Sequence, residues 1–258
     1  MTGRFRADWR RSGVRLYRRA VRPEPAAPNP GADDLPACAW APTLPPPPGG
    51  PAANGVRVTS AADAADPLSV ASFADLLGHL RAQQIVRALS ARTNRVLAGT
   101  RVTVLGAGPL AGAVAEVLDR LGARVTVATD DAPAALGARI RGRAVIGTDA
   151  VATTPAEHLV ATGEGHAPFD VATLAATAID ASYTGTGLRL PAAAEPVREG
   201  VAHAGAGWIV ESPDVWPADP ADATGLQRRA AEAFTLLSRL AAASADDLDV
   251  RFAREVSA

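Results

Sequence analysis

Residues 101–131 read RVTVLGAGPLAGAVAEVLDRLGARVTVATDD. The stretch parses as strand, glycine turn, helix, strand. Arg101 to Leu105 make a short apolar run with β-branched residues, as a buried parallel strand does. Gly106-Ala107-Gly108-Pro109-Leu110-Ala111 then follows the spacing G-x-G-x-x-A. Leu110, Val114, Val117, Leu118 and Leu121 recur on one helical face. Gly122 closes that helix, and Arg124 to Ala128 begin a second apolar strand.

Each residue type in the turn has a physical reason. Gly106 permits a tight turn off the strand. Gly108 lacks a Cβ, so a pyrophosphate can approach the backbone. Ala111 lets helix and strand pack closely, and the helix N-terminus offers free N–H groups and a positive dipole end. A glycine pattern alone is weak, but a strand before it and a helix and second strand after it are the confirming context. The competing reading is a tight strand-to-helix connection without a nucleotide.

The chain has 258 residues, 48% apolar but only 4% aromatic. Alanine, valine and leucine must therefore build the core. All 26 Lys+Arg positions are arginine. The lack of lysine excludes Schiff-base, P-loop-lysine and lysine acid–base chemistry. Cys38 is the single cysteine, which excludes a disulfide framework and a cysteine-based metal site. No apolar run approaches the roughly 18 residues of a membrane span, and no signal-peptide core follows the N-terminal arginines. The expectation is a cytoplasmic protein without a bound metal.

Eight arginines and one acid fall in residues 1–22, so the remainder is net acidic. That balance argues against a nucleic-acid-binding core. Residues 1–22 suit a basic amphipathic arm, with Arg4, Arg11, Arg15, Arg18 and Arg22 on one face. Such an arm either touches an acidic partner, a membrane surface or nucleic acid, or is simply a solvated helix. Residues 23–54 are a Pro-rich linker containing Pro45 to Pro48 in succession.

The folded domain is expected over 55–245, with an acidic tail at 246–258. It opens with a short strand at Val56–Thr59 and a long helix over 69–98. Beyond the second strand, the pattern predicts a helix at 132–141, strands at 144–147, 159–163 and 178–182, a helix at 170–177, two strands near 200–203 and 208–211, and a helix over 224–243. Alternating strands and helices with short connections make an α/β fold, a Rossmann-like doubly wound parallel sheet. The helices at 69–98 and 224–243 are candidate surfaces for a homodimer or partner subunit. The carboxyl ends of the strands line one crevice, which gathers His158, His166, Asp180 and Tyr183 near Gly106–Gly108, Thr129–Asp131 and Thr162–Glu164. A base within reach of a substrate hydroxyl would come from that set. His166, Tyr183 and Asp180 are the catalytic candidates; the competing reading of His166 is an ordinary loop histidine.

Residues from about 84 to 190 resemble the cofactor domain of adenosylhomocysteinase, as a truncated, stand-alone homologue. The likeness rests on Arg92-Thr93-Asn94-Arg95-Val96-Leu97-Ala98-Gly99 leading into Val102-Thr103-Val104-Leu105-Gly106-Ala107-Gly108. It continues through Leu121-Gly122-Ala123-Arg124-Val125-Thr126-Val127, Ala135-Leu136, Ile140-Arg141-Gly142 and Ala161-Thr162-Gly163. The resemblance implies bound NAD, with NADP as the alternative. It implies Gly106, Gly108, Pro109 and Leu110 on the pyrophosphate, Thr162 and Gly163 beside the nicotinamide, and Ser182 and Tyr183 near the family's Gly-His pair. Three departures stand out. The family's acidic ribose ligand is replaced by Thr129, with Asp130 and Asp131 as substitutes. Its catalytic lysine is absent, and residues 1–68 are too few for its substrate domain. The expected role is thus an NAD-dependent oxidoreductase acting on an alcohol, or a cofactor-bearing subunit; the alternative is a non-catalytic nucleotide-binding or scaffold module.

Overall fold

The computed structural model describes residues 37–40, 56–59, 67–191, 194–215, 224–243 and 247–257. Its elements are β1 (Ala37–Trp40), β2 (Val56–Thr59), α1 (Ala71–Thr93), β3 (Arg101–Leu105), α2 (Pro109–Arg120), β4 (Arg124–Ala128), α3 (Ala132–Ile140), β5 (Ala144–Ile146), β6 (His158–Ala161), β7 (Phe169–Asp170), β8 (Thr177–Asp180), β9 (Leu188–Arg189), β10 (Glu195–Arg198), β11 (Val201–Ala204), β12 (Gly207–Val210), α4 (Gly225–Ala243) and α5 (Leu248–Ser257). The basic segment 1–22 lies outside the described residues. None of the described helices is long and apolar enough to cross a membrane.

Two compact units divide these residues: 81–213, and the described residues up to 80 together with those from 214 onward. The first unit holds an eight-stranded sheet in the order β10-β11-β12-β8-β6-β3-β4-β5. The six strands from β12 to β5 are parallel, and β10 and β11 extend them by antiparallel pairing. Counted along the chain, the parallel strands lie in the order 3-2-1-4-5-6, that of the Rossmann fold. The order reverses between β3 and β6, where Leu105 pairs with Ala161.

Both sheet faces are apolar, as parallel strands require. Val102, Val104, Val160 and Ile179 face α1 and α2 through Ile85, Leu89, Leu110, Val114 and Leu118. Leu105, Leu159, Ala178 and Ile209 face the other way, against Val151, Val171 and Leu174. Those last residues come from or flank short 3-10 turns at Thr148–Ala150 and Val171–Thr173. The helix expected at 170–177 is therefore absent. Asp170 accepts a hydrogen bond from the Ala172 amide at 2.9 Å, a local turn that competes with helix.

Other boundaries differ for equally local reasons. Helix α1 stops at Thr93, not Ala98, because Asn94 turns left-handed at φ 54°. The Arg95 amide then donates to Ser90 O at 3.3 Å, and the Ser90 hydroxyl donates to Arg95 O at 2.8 Å, as a helix C-cap does. Within the Pro-rich segment, Ala37–Trp40 pairs antiparallel with Val56–Thr59.

In the second unit, Phe252 of α5 is buried and meets Phe73 edge-on at 5.6 Å between centroids; Phe73 also meets Phe234 at 6.2 Å. Asp249 accepts from the Ser72 amide at 2.8 Å. The segment expected as a solvated acidic tail thus contains a packed helix, because Phe252 supplies an apolar anchor.

His158 opens β6 at the amino end of the sheet, opposite Val102 and Thr177 and three residues below Ala161. It does not reach the crevice where the sequence pattern gathered it. Its side chain is fully buried, and among the described residues neither ring nitrogen has a hydrogen-bond partner. Burial holds the imidazole below its ordinary value, with the Arg95 charge adding and Glu157 opposing. The folded state thus resists a proton that the unfolded chain accepts near pH 6.5. Stability is full above that pH and falls as pH drops toward the folded value. His158→Leu is expected to raise stability by about 1 kcal/mol at pH 7 and to flatten the melting profile between pH 7 and 5. An unchanged acid slope in thermal melts would contradict this.

Candidate functional site

The site grows from the end of β3. Gly106 has φ 143°, and a Cβ there would stand 2.0 Å from Thr162 Oγ1. Only glycine passes. Gly108 caps α2 with extended backbone, and Pro109 takes the first helical position, where its missing N–H costs nothing. Gly108 has no side chain with which to cap. The amides of Leu110 and Ala111 therefore need an acceptor from elsewhere.

Glu164 supplies it. Its Oε1 accepts from Leu110 N at 3.1 Å and its Oε2 from Ala111 N at 2.8 Å. A Cβ on Gly108 would stand 2.4 Å from the Glu164 carboxyl carbon. The carboxylate oxygens thus occupy the seat that phosphate oxygens take at such a helix end. Burial pushes the Glu164 carboxyl up; the amides of Ala111, Leu110 and Gly108 and the Thr162 hydroxyl oppose that.

The loop carrying Glu164 lies over the glycine turn. Thr162 donates to Leu105 O from its amide and its hydroxyl, both at 3.0 Å, and Ala107 N donates to Glu164 O at 3.0 Å. Gly163 and Gly165, on either side of Glu164, are left-handed at φ 74° and 70°. His166 Nε2 accepts from Gly163 N at 3.0 Å, and Nδ1 lies 2.7 Å from Ala167 O. These partners fit the tautomer in which Nδ1 donates and Nε2 accepts. Both nitrogens are engaged in holding the loop.

At the end of β8, Asp180 is also engaged. Its Oδ1 accepts from Ser182 N at 2.9 Å and Ser182 Oγ at 2.6 Å, and its Oδ2 from Leu188 N at 3.1 Å. Ser182 Oγ in turn accepts from Thr186 N at 2.9 Å. Arg81 is 3% exposed. It donates to Ala181 O at 3.0 Å, Ser182 O at 3.3 Å, Pro213 O at 2.6 Å and Ser212 Oγ at 2.7 Å. Burial pushes the Asp180 carboxyl up against the pull of its donors and of Arg81. Burial and the Glu164 charge push the Tyr183 phenol up, and Arg81 opposes them. Tyr183 stays protonated.

Beyond β4, Thr129 is buried and accepts the Asp131 amide on Oγ1 at 3.1 Å, while Asp131 caps α3 by accepting from Ala134 N at 2.7 Å. Asp130 accepts from the Thr148 hydroxyl and from Thr148 N at 3.0 Å, and these bonds, the hydroxyl first, hold its carboxyl below the usual range. Asp149 comes to the same side: a Cβ on Gly147 would stand 2.6 Å from Asp149 Oδ1 and 3.4 Å from Asp130 Oδ1.

The structure thus brings Gly106, Gly108, Pro109, Leu110, Thr162 and Gly163 to the switch point between β3 and β6, with Asp130 at the neighbouring strand end. Sequence reasoning missed Glu164 and Arg81. The signal for Glu164 was two helix amides without a local cap, matched to an acid between two glycines. A groove of about 620 Å³ at the opposite end of β3 to β5 is lined by Arg101, Arg124, Arg141 and Arg143 and takes no part in this site.

No protein-family model matches the chain, and no curated protein matches it. Among solved structures, the A chain of dipicolinate synthase from Bacillus subtilis aligns with a TM-score of 0.51 at 16% identity, over 66% of this chain and 55% of that one. A transhydrogenase from Sinorhizobium meliloti aligns at 0.49 and 19% identity over 67% and 57%, and an L-alanine dehydrogenase at 0.48 and 16% over 72% and 60%. The chain spans little more than half the length of these structures. None of the three is an adenosylhomocysteinase. What the comparison with the dipicolinate synthase chain shows is the fold, a mostly parallel Rossmann-type sheet with helices.

Proposed function

We propose that residues 81–213 bind a nicotinamide dinucleotide, NAD in preference to NADP, as the cofactor domain of an oxidoreductase or as a cofactor-bearing subunit. The observation that carries this reading is the oxyanion seat on Leu110 N and Ala111 N, at the topological switch point and already fitted to a carboxylate. The residues suit the group: Gly106 lets Thr162 pack against the turn, and Gly108 leaves beside the seat a space that a Cβ would take up and that the movable Glu164 carboxylate now fills. Bound NAD would supply hydride transfer; the chain's own residues would bind and orient it. Asp130 and Asp149 favour ribose hydroxyls over a 2′-phosphate by charge. Thr162 and Gly163 would border the nicotinamide half, and Tyr183 would donate a proton or hydrogen bond there. His166 and Asp180 are less suited to act as bases, since their polar atoms hold loops. An alcohol substrate, the adenosylhomocysteinase-like character, and pairing of copies or subunits through α1 and α4 belong to the same proposal.

One observation favours a second reading. The Glu164 carboxylate already satisfies the seat, as it would in a non-catalytic scaffold that retains the fold.

Calorimetric titration with NAD and NADP tests the reading. NAD is expected to bind, more tightly than NADP. Gly108→Val should fold, since its side chain displaces only the flexible end of Glu164, and should lose at least about tenfold in NAD affinity by filling the seat. Equal NAD affinity in Gly108→Val, or no binding to the wild type, would sink the phosphate assignment.

A further inference from the structure

The phosphate seat and Glu164 cannot be used at once. The carboxylate bridges two consecutive amides with one oxygen each, at 3.1 and 2.8 Å. Its carboxyl carbon fills the space that Gly108 leaves by having no Cβ. A diphosphate entering on the same amides meets those oxygens.

We propose that Glu164 is an internal anion that holds the site shut, and that a dinucleotide binds by exchange, its pyrophosphate displacing the Glu164 carboxylate from the amides of Leu110 and Ala111. This rests on the cofactor reading above and adds its regulation.

The local structure suits an exchange. Glu164 reaches the seat from 53 and 54 residues away along the chain, so helix α2 forms without any local competitor for those amides. Gly163 and Gly165 flank it in left-handed conformations, which present the side chain inward over the turn. The loop backbone is anchored separately, by Ala107 N on Glu164 O and by His166 on Gly163 N. The side chain can therefore rotate out about its own torsions while the loop stays in place. Exchange keeps the two amides paired throughout, because one oxyanion replaces another. It also returns a half-buried carboxylate to water, which offsets part of the cost of leaving. The penalty appears as weakened apparent affinity, reduced by the fraction of molecules with the seat open. Whatever draws Glu164 outward opens the site.

The test titrates the wild-type chain, Glu164→Ala and Glu164→Gln with NAD and, separately, with inorganic pyrophosphate. Circular dichroism establishes that each variant is folded, and Glu164→Gln stands in should the alanine variant not fold. The variant is expected to bind both ligands at least about tenfold more tightly than wild type. Equal or weaker NAD binding by a folded variant, where wild type binds NAD, overturns the gate and leaves the cofactor reading intact. Tighter pyrophosphate binding by the variant, with no NAD binding by either form, upholds the gate and overturns the cofactor reading. No binding of either ligand to any form overturns both.

Discussion

Arg81→Met is expected to cost about 3–5 kcal/mol of unfolding free energy. The guanidinium is 3% exposed and spans the carbonyls of Ala181, Ser182 and Pro213 and the Ser212 hydroxyl. Methionine fills similar volume but strands these acceptors, with Gln84 Oε1 besides, and leaves the buried Asp180 carboxylate without its nearby cation. Arg81→Lys should recover only part of the loss, since an ammonium cannot fork across acceptors as a guanidinium does. Urea unfolding measures both. A midpoint for Arg81→Met within experimental error of wild type would show that these bonds are dispensable.

Asp180→Ala follows closely, at about 3 kcal/mol. The substitution strands Ser182 N and Leu188 N and frees the Ser182 hydroxyl that orders Thr186 N. A structural carboxylate and a catalytic one separate here. If Asp180 only closes the loop, stability falls and Asp180→Asn, which keeps one acceptor, falls less. If Asp180 also served as a base, Asp180→Asn would lose turnover out of proportion to its smaller loss of stability.

The central strand–turn–helix–strand was legible because each level agreed. The apolar runs flanking Gly106 and Gly108 match the buried faces of β3, β4 and α2. Strand β8 was legible from its apolar run. The sheet's second face was not. Residues 170–177 carry helical apolar spacing, yet Asp170 spends its side chain on a turn, and no periodicity announces a two-residue strand such as β7 or β9. The hairpin β11–β12 was visible, but β10 was hidden by Pro196 and the register shift between Pro196 and Arg198.

The site was half legible for the same reason. A glycine pattern reports where a backbone must stay open, and Gly106 and Gly108 do so. It does not report what fills the opening. Capping logic reads the residues beside a helix start, and Gly108-Pro109 provides no cap, so Glu164 escapes it. His166 and Asp180 stood out as titratable residues at strand ends. Their partners became visible only in the structure, because a loop that turns sharply draws on the same polar atoms that catalysis would need.

The most direct measurement follows the backbone amides of the ¹⁵N-labelled full chain by NMR as NAD is added. The account predicts that the amides of Gly108, Leu110 and Ala111 shift most and saturate together, as their acceptor changes from the Glu164 carboxylate to a phosphate. Silent amides at those three positions under saturating nucleotide, or shifts confined to another part of the chain, would contradict it.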